Sequence, residues 1–118
     1  SGYVPYTAFS ATTSFIEEHP EIIQAFTNAL QKGLDYVNNH TPEEIADIIA
    51  PQFAETDMDT LTTIVKRYYD QDSWPENLIF KQESFELLEH ILMEAGELDE
   101  MLPYEALVNT VFAEEASK

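Results

Sequence analysis

His19, His40 and His90 are the side chains best suited to hold a metal or move a proton near neutral pH, and they stand far apart in the sequence. None belongs to an HExxH pair, and no cysteine assists them. Glu86, Glu89 and Glu94 share or neighbour the helical face of His90. A carboxylate-bridged metal site on paired helices needs Glu three residues before its His, and that position is Leu87. The group reads as a solvated charged face. Asp70-Gln71-Asp72 starts like a calcium loop, but Trp74 stands where the third ligand belongs and the turn glycine is missing. Nucleophilic catalysis needs a nucleophile beside a base, and no GxSxG occurs. With only three glycines there is no phosphate-cradling loop, and among 23 acidic residues a close carboxylate pair is expected by chance. The chain is therefore read as a non-enzyme, with no catalytic residue, metal or cofactor expected.

Aromatic residues are the remaining chemical signal. Tyr68, Tyr69 and Trp74 cluster in YYDQDSW, which suits a helix end packing its own loop. Tyr3 and Tyr6 lie three apart in an extended-type segment, a spacing that points them to opposite faces.

Composition narrows the partners. The formal net charge is −18, from 23 acidic and 5 basic residues, a balance that repels nucleic acid and anionic membranes. Hydrophobic content is 44%, too high for a disordered acidic tail, and 118 residues suit one domain, taken as a single unit over 1–118. There is no cysteine, and no apolar run approaches the roughly 18 residues of a membrane span. Ser1-Gly2 followed at once by Tyr3-Val4-Pro5 reads as a chain cut from something longer.

The elements that must position these side chains are mostly helices. Pro20–Asn39 carries Ile22, Ile23, Phe26, Ala29, Leu30, Gly33, Leu34 and Val37 on one face, with Gln24, Asn28, Gln31, Lys32 and Asp35 opposite. It is expected to be the core helix on which the others pack, with Pro20 at its first position and His19 as its cap. Ahead of it, Ser14 and Glu17 have capping-box spacing for a short helix from Thr12. Thr41-Pro42-Glu43-Glu44 opens a helix that carries Ile45, Ile48 and Ile49 inward. Asp57 or Thr56 caps the next, over 58–70, with Met58, Leu61, Ile64, Val65 and Tyr68 inward. A helix over 82–95 presents Phe85, Leu88, Ile91, Leu92 and Ala95 and stops at Gly96. Pro103 opens a last short helix toward Phe112, with a frayed tail from Glu114. Residues 3–9, YVPYTAF, read as the one strand, and a strand needs a sheet to satisfy its backbone.

Several motifs then line up. Val4-Pro5-Tyr6-Thr7-Ala8-Phe9, the run from Phe15 to Glu21, Ala25-Phe26, and Thr41-Pro42-Glu43-Glu44-Ile45-Ala46 come first in order. Arg67-Tyr68, Trp74, Phe85, Ala95-Gly96-Glu97-Leu98 and the run from Pro103 to Val108 follow. Together they resemble the C-terminal part of solute-binding proteins of ABC importers, of the nitrate/sulfonate/taurine and thiamine-pyrimidine-precursor binding type. The residues themselves are read as a mainly α chain, about six helices behind one N-terminal strand at 1–11 with 12–118 helical, and the resemblance agrees with that reading. The resemblance implies a fragment of a two-lobed α/β periplasmic-binding fold, type 2, that finishes the first lobe. It also implies an exported protein, periplasmic or lipid-anchored (a lipoprotein), that closes on a small-molecule solute and is presented to an ABC permease. Because ligands of open α/β sheets sit at strand carboxyl ends, the resemblance makes Tyr6, Thr7 and then Tyr3 the residues expected to line one wall of the cleft. A lone strand would also seek a partner, so a strand-mediated homodimer is expected of the chain alone. The alternative reading is a freestanding acidic helical module that holds a partner helix or peptide.

Overall fold

The computed structural model describes residues 2–118. The order is helix α1 (Thr13–Glu18), α2 (Pro20–Asn39), α3 (Pro42–Ile49), a 3₁₀ turn (Ala50–Phe53), α4 (Met58–Asp70), α5 (Gln82–Glu94), α6 (Tyr104–Leu107) and α7 (Val111–Ala116).

Local chemistry explains most boundaries. The Thr12 hydroxyl, and not Ser14, caps α1 by accepting the Phe15 N–H at 3.2 Å. His19 lies between α1 and α2 and ends the first while starting the second, though its side chain makes no capping bond. At the far end of α2, His40 places Nδ1 2.7 Å from the Tyr36 carbonyl and stacks its ring on Tyr36 at 3.7 Å. The expected capping box of α3 is complete: Glu44 N–H donates to Thr41 Oγ1 at 3.2 Å, and Thr41 N–H donates to Glu44 Oε2 at 2.9 Å. Asp57 caps α4 by accepting from Thr60 N–H at 2.9 Å and Thr60 Oγ1 at 2.7 Å. The Thr60 hydroxyl, with the Thr60 N–H behind it, holds the Asp57 carboxyl below its ordinary value. Gly96, at φ 76°, closes α5, with Gly96 N–H on Met93 O and Glu97 N–H on Leu92 O.

The core lies between α3 and α4. Ile45 and Ala46 from the one meet Leu61 and Val65 from the other, ringed by Tyr36, Val37, Ile49, Ala50 and Trp74. A second packing region joins α2 to α7, where Ala113 is buried and Gln24 Nε2 donates to the Phe112 carbonyl at 3.0 Å.

Four expectations are corrected here. Among the described residues there is no strand. Residues 2–11 run as an irregular arm, and none of them makes a backbone–backbone hydrogen bond among the described residues. The β-favouring types are present, but no second strand lies beside them, and an unpaired segment is not a strand. Ser1, the first residue of the strand expected at 1–11, lies outside the described residues. The mainly α composition stands with seven helices instead of about six, but the fragment of a two-lobed α/β fold headed by a strand is overturned by this all-helical architecture.

The second correction concerns α2. It has its expected bounds, but of its apolar stripe only Leu34 is buried, while Ile22 and Phe26 are about half exposed. Gln31, expected in solvent, is buried instead, with Nε2 on Asp35 Oδ1 at 2.9 Å and near the Glu76 carbonyl at 3.4 Å. Its stripe is wider than the surface α1, α3 and α7 offer it. Third, Ile48 on α3 and Met58, Ile64 and Tyr68 on α4 face outward, because each of these helices buries one narrow face against the other. Fourth, the C-terminal helix is split at Val108–Thr110 into α6 and α7, and α7 stays helical to Ala116 where fraying was expected.

Candidate functional site

The arm at 2–12 crosses the outside of the helices and is held at three points. Gly2 approaches α5 so closely that a Cβ there would come within 3.2 Å of Leu87 Cδ2. The Tyr3 hydroxyl donates to Asp72 Oδ2 at 2.5 Å. Phe9 packs edge-on against Phe26 of α2, with ring centroids 5.0 Å apart.

Asp72 owes its place to the end of α4. Gln71 N–H bonds Arg67 O, Asp72 N–H bonds Tyr69 O and Ser73 N–H bonds Tyr68 O, and the reversal puts Asp72 at φ 56°. This is the left-handed stop usually taken by glycine and tolerated by Asp and Asn. The turn aims the Asp72 carboxylate at the arm. Asn38, Tyr69, Asp72 and Trp74 then line an open hollow of about 210 Å³, and the Tyr3 hydroxyl donates to the Asp72 carboxylate of that lining. Asn38 Nδ2 donates to the Pro75 carbonyl at 2.9 Å, fixing the loop on α2, and Trp74 lies against Tyr68 with ring centroids 6.3 Å apart. Two aromatic faces, a carboxylate and an amide make this hollow able to stack on a flat group and to hydrogen-bond it.

A second, shallower groove of about 380 Å³ runs along α4, lined by Asp59, Thr60, Thr63, Ile64 and Arg67. The Thr60 and Thr63 hydroxyls are already committed to Asp57 Oδ2 and Asp59 O. Arg67 is the sole arginine of the chain and makes no ion pair among the described residues.

The three residues expected to line a cleft are thus dispersed. Tyr3 reaches Asp72, one of the residues lining the hollow. Tyr6 is 98% exposed and Thr7 is exposed, and neither borders either concavity. Asn38 and Asp72 were not singled out by spacing. In the sequence Asp72 stands out only as part of a failed calcium loop, and its position two residues past the end of α4 is the signal from which a left-handed stop could have been read. Asn38 carried no signal, since only the fold brings the end of α2 beside the loop after α4.

The hydrogen bond to Asp72, and then the charge of that carboxylate, hold the Tyr3 phenol above its ordinary value. Tyr104 is raised as well, by burial first and then by Glu114 and Glu105. A raised phenol favours the neutral form in the fold. The tether is therefore fully formed below about pH 10, the ordinary tyrosine value, and is lost as the pH rises through the higher folded value. In an ultraviolet phenolate titration, Tyr3 and Tyr104 are expected to ionise late. Tyr3→Phe should remove one of these two, and an unchanged titration would show that the tether does not form.

No family model matches this chain. No solved structure matches it either. It is similar to a protein of Bacillus subtilis (strain 168) named "Putative binding protein YtlA", at 36% identity over 117 residues. The match covers 99% of this chain and 35% of that protein, so the chain spans about a third of the relative's length. No helix among the described residues is long and apolar enough to cross a membrane.

Proposed function

We propose that this chain is part of the extracytoplasmic solute-binding component of an ABC importer, of the nitrate/sulfonate/taurine and thiamine-pyrimidine-precursor binding type. The observation that carries the reading is the likeness to YtlA along 99% of the chain, taken with the ordered motifs from Val4-Pro5-Tyr6 to Pro103-Tyr104. In this role the helices brace the arm, and the arm with the Tyr69–Trp74 hollow supplies one wall of a ligand cleft. Tyr6 and Thr7 are exposed on the arm, which suits contact with a solute held by a second surface. Tyr3 is committed to Asp72 and positions the arm. The solute is small and polar or flat, the kind of group that an aromatic face and a few hydroxyls recognise. The permease reads the closed form.

One wall binds weakly, so the isolated chain is expected to show no stoichiometric metabolite binding by calorimetry. The positive test exchanges the matched segment of YtlA for this chain and screens the chimera against alkanesulfonates, nitrate and pyrimidines by thermal shift. A ligand at a hundred times its Kd adds about 2.7 kcal/mol of stability, a readable rise in Tm. Tyr6→Ala should abolish that rise while leaving the unliganded Tm in place. A chimera that no solute stabilises, or one stabilised equally well with Tyr6→Ala, would overturn the assignment of function or of site. The other reading, an acidic helical module that holds a protein partner, draws on the exposed apolar faces of α2 and α4 and parts from this one on solute binding.

A further inference from the structure

The hollow after α4 has a chemical bias that its shape alone does not show. Its lining residues are Asn38, Tyr69, Asp72 and Trp74. Two of their polar atoms are already committed: Asn38 Nδ2 donates to the Pro75 carbonyl, and Asp72 Oδ2 accepts from the Tyr3 hydroxyl. Among the described residues, the side-chain groups left without a hydrogen bond are Asn38 Oδ1, Asp72 Oδ1, the Tyr69 hydroxyl and the Trp74 indole N–H. The two oxygens named first can only accept, and the hydroxyl can accept or donate. An occupant of the hollow is therefore asked mainly for donors.

Charge points the same way. No cation of the chain pairs with Asp72 among the described residues. The chain as a whole carries −18, so an anion is repelled both at long range and by the Asp72 carboxylate itself. A metal ion is poorly served. Calcium takes about 6–8 oxygen ligands, and no group of three or more metal-ligating side chains stands together among the described residues.

The aromatic part selects the kind of cation. Tyr69 is about half exposed, and Trp74 is half-buried. An aromatic face stacks a planar, weakly hydrated guanidinium better than a compact, strongly hydrated ammonium. The volume of about 210 Å³ is below the roughly 300–1,000 Å³ of pockets that enclose a drug-sized ligand, so the hollow suits one planar head group.

We infer that the hollow binds the guanidinium or amidinium group of a small organic cation, stacked on Tyr69 and Trp74, with N–H groups donating to Asp72 and Asn38. This rests on the solute-binding reading only for the claim that the cation belongs to a solute; the chemistry of the hollow follows from its own residues.

Trp74 is the sole tryptophan of the chain, so its fluorescence reports on the hollow directly. Methylguanidinium, titrated at constant ionic strength, is expected to shift the Trp74 emission saturably with a Kd of a few millimolar, the order that about 3–4 kcal/mol of binding gives. Methylurea has the same flat shape without the charge, and tetramethylammonium has the charge without N–H donors; each should bind about tenfold more weakly. Asp72→Asn keeps an oxygen acceptor for Tyr3 and a residue type that tolerates the left-handed turn. It should leave the circular dichroism unchanged and weaken methylguanidinium about tenfold. Tyr69→Leu, on a half-exposed side chain, should weaken it as well. An unmoved Trp74 emission, an equal shift with methylurea or with sodium chloride alone, or a Kd unchanged in either folded variant would overturn the inference. A YtlA chimera stabilised by a solute, together with a Trp74 that ignores methylguanidinium, would keep the solute-binding reading and defeat this one. A Trp74 that responds, with a chimera that no solute stabilises, would defeat that reading and leave the hollow to the same group on an arginine side chain of a protein partner.

Discussion

Leu61→Ala is expected to lower the unfolding free energy by about 3 kcal/mol, within the 2–5 kcal/mol typical of buried Leu→Ala changes. Leu61 is 2% exposed and sits at the centre of the α3–α4 contact with Ile45, Ala46 and Val65. Truncation removes its transfer free energy and leaves a cavity that two short helices cannot close without separating. For a small domain with a total stability of about 5–15 kcal/mol, that is a large share. Ile64, three residues on, is the control. Its spacing places it on the same apolar stripe, yet it is 44% exposed. Ile64→Ala should cost less than about 1 kcal/mol, in the range of surface substitutions. Urea unfolding followed by circular dichroism reads both. Equal losses would mean that the face of α4 turned to α3 has been misassigned.

Glu89→Ala is expected to cost about 2 kcal/mol, by a different route. Glu89 is only 4% exposed, and its Oε1 accepts the Leu102 N–H at 2.7 Å. The bond ties the turn after α5 back onto the middle of that helix, so that α6 begins where Tyr104 can donate its hydroxyl to the Phe80 carbonyl and pack on Phe85. Removing the carboxyl leaves a backbone N–H without its acceptor, a penalty of about 1–3 kcal/mol, and frees the turn. Glu89→Gln retains an acceptor at the same reach and should lose less. The comparison is informative because Glu89 Oε2 has no hydrogen-bond partner among the described residues, so the amide nitrogen of Gln would also be left unpaired. Amide exchange at Leu102 separates the two variants: fast in Glu89→Ala, slow in Glu89→Gln. A Glu89→Ala protein of unchanged stability and slow Leu102 exchange would show that the turn is held by its apolar contacts alone.

Glu89 also shows where reading by spacing stops. In the sequence it is one carboxylate among 23 on an acidic chain, beside His90, and a solvated face is the natural assignment. It is buried because residues 97–103 fold back over α5, and the pattern of the helix itself carries no trace of that. Gln31 is the same case on α2. Phe9 and Tyr3 make the converse point: aromatic and β-favouring, they call for a sheet, and they are held instead by Phe26 and Asp72.

For α2 to α5 the amino-acid sequence by itself determined most of the helix starts and stops. The Thr41–Glu44 box, the Asp57 cap, Pro20 and Pro42 at first helical positions, and Gly96 at φ 76° all act within about one turn of chain, so their effect needs no distant neighbour. It also determined the acidity that decides which partners can approach. Only the tertiary structure decided which side of each helix is covered, whether 2–11 finds a strand to pair with, and which tyrosine meets a carboxylate. Burial is a property of two surfaces at once, and a stripe of apolar residues states that one surface is ready without stating what lies opposite it.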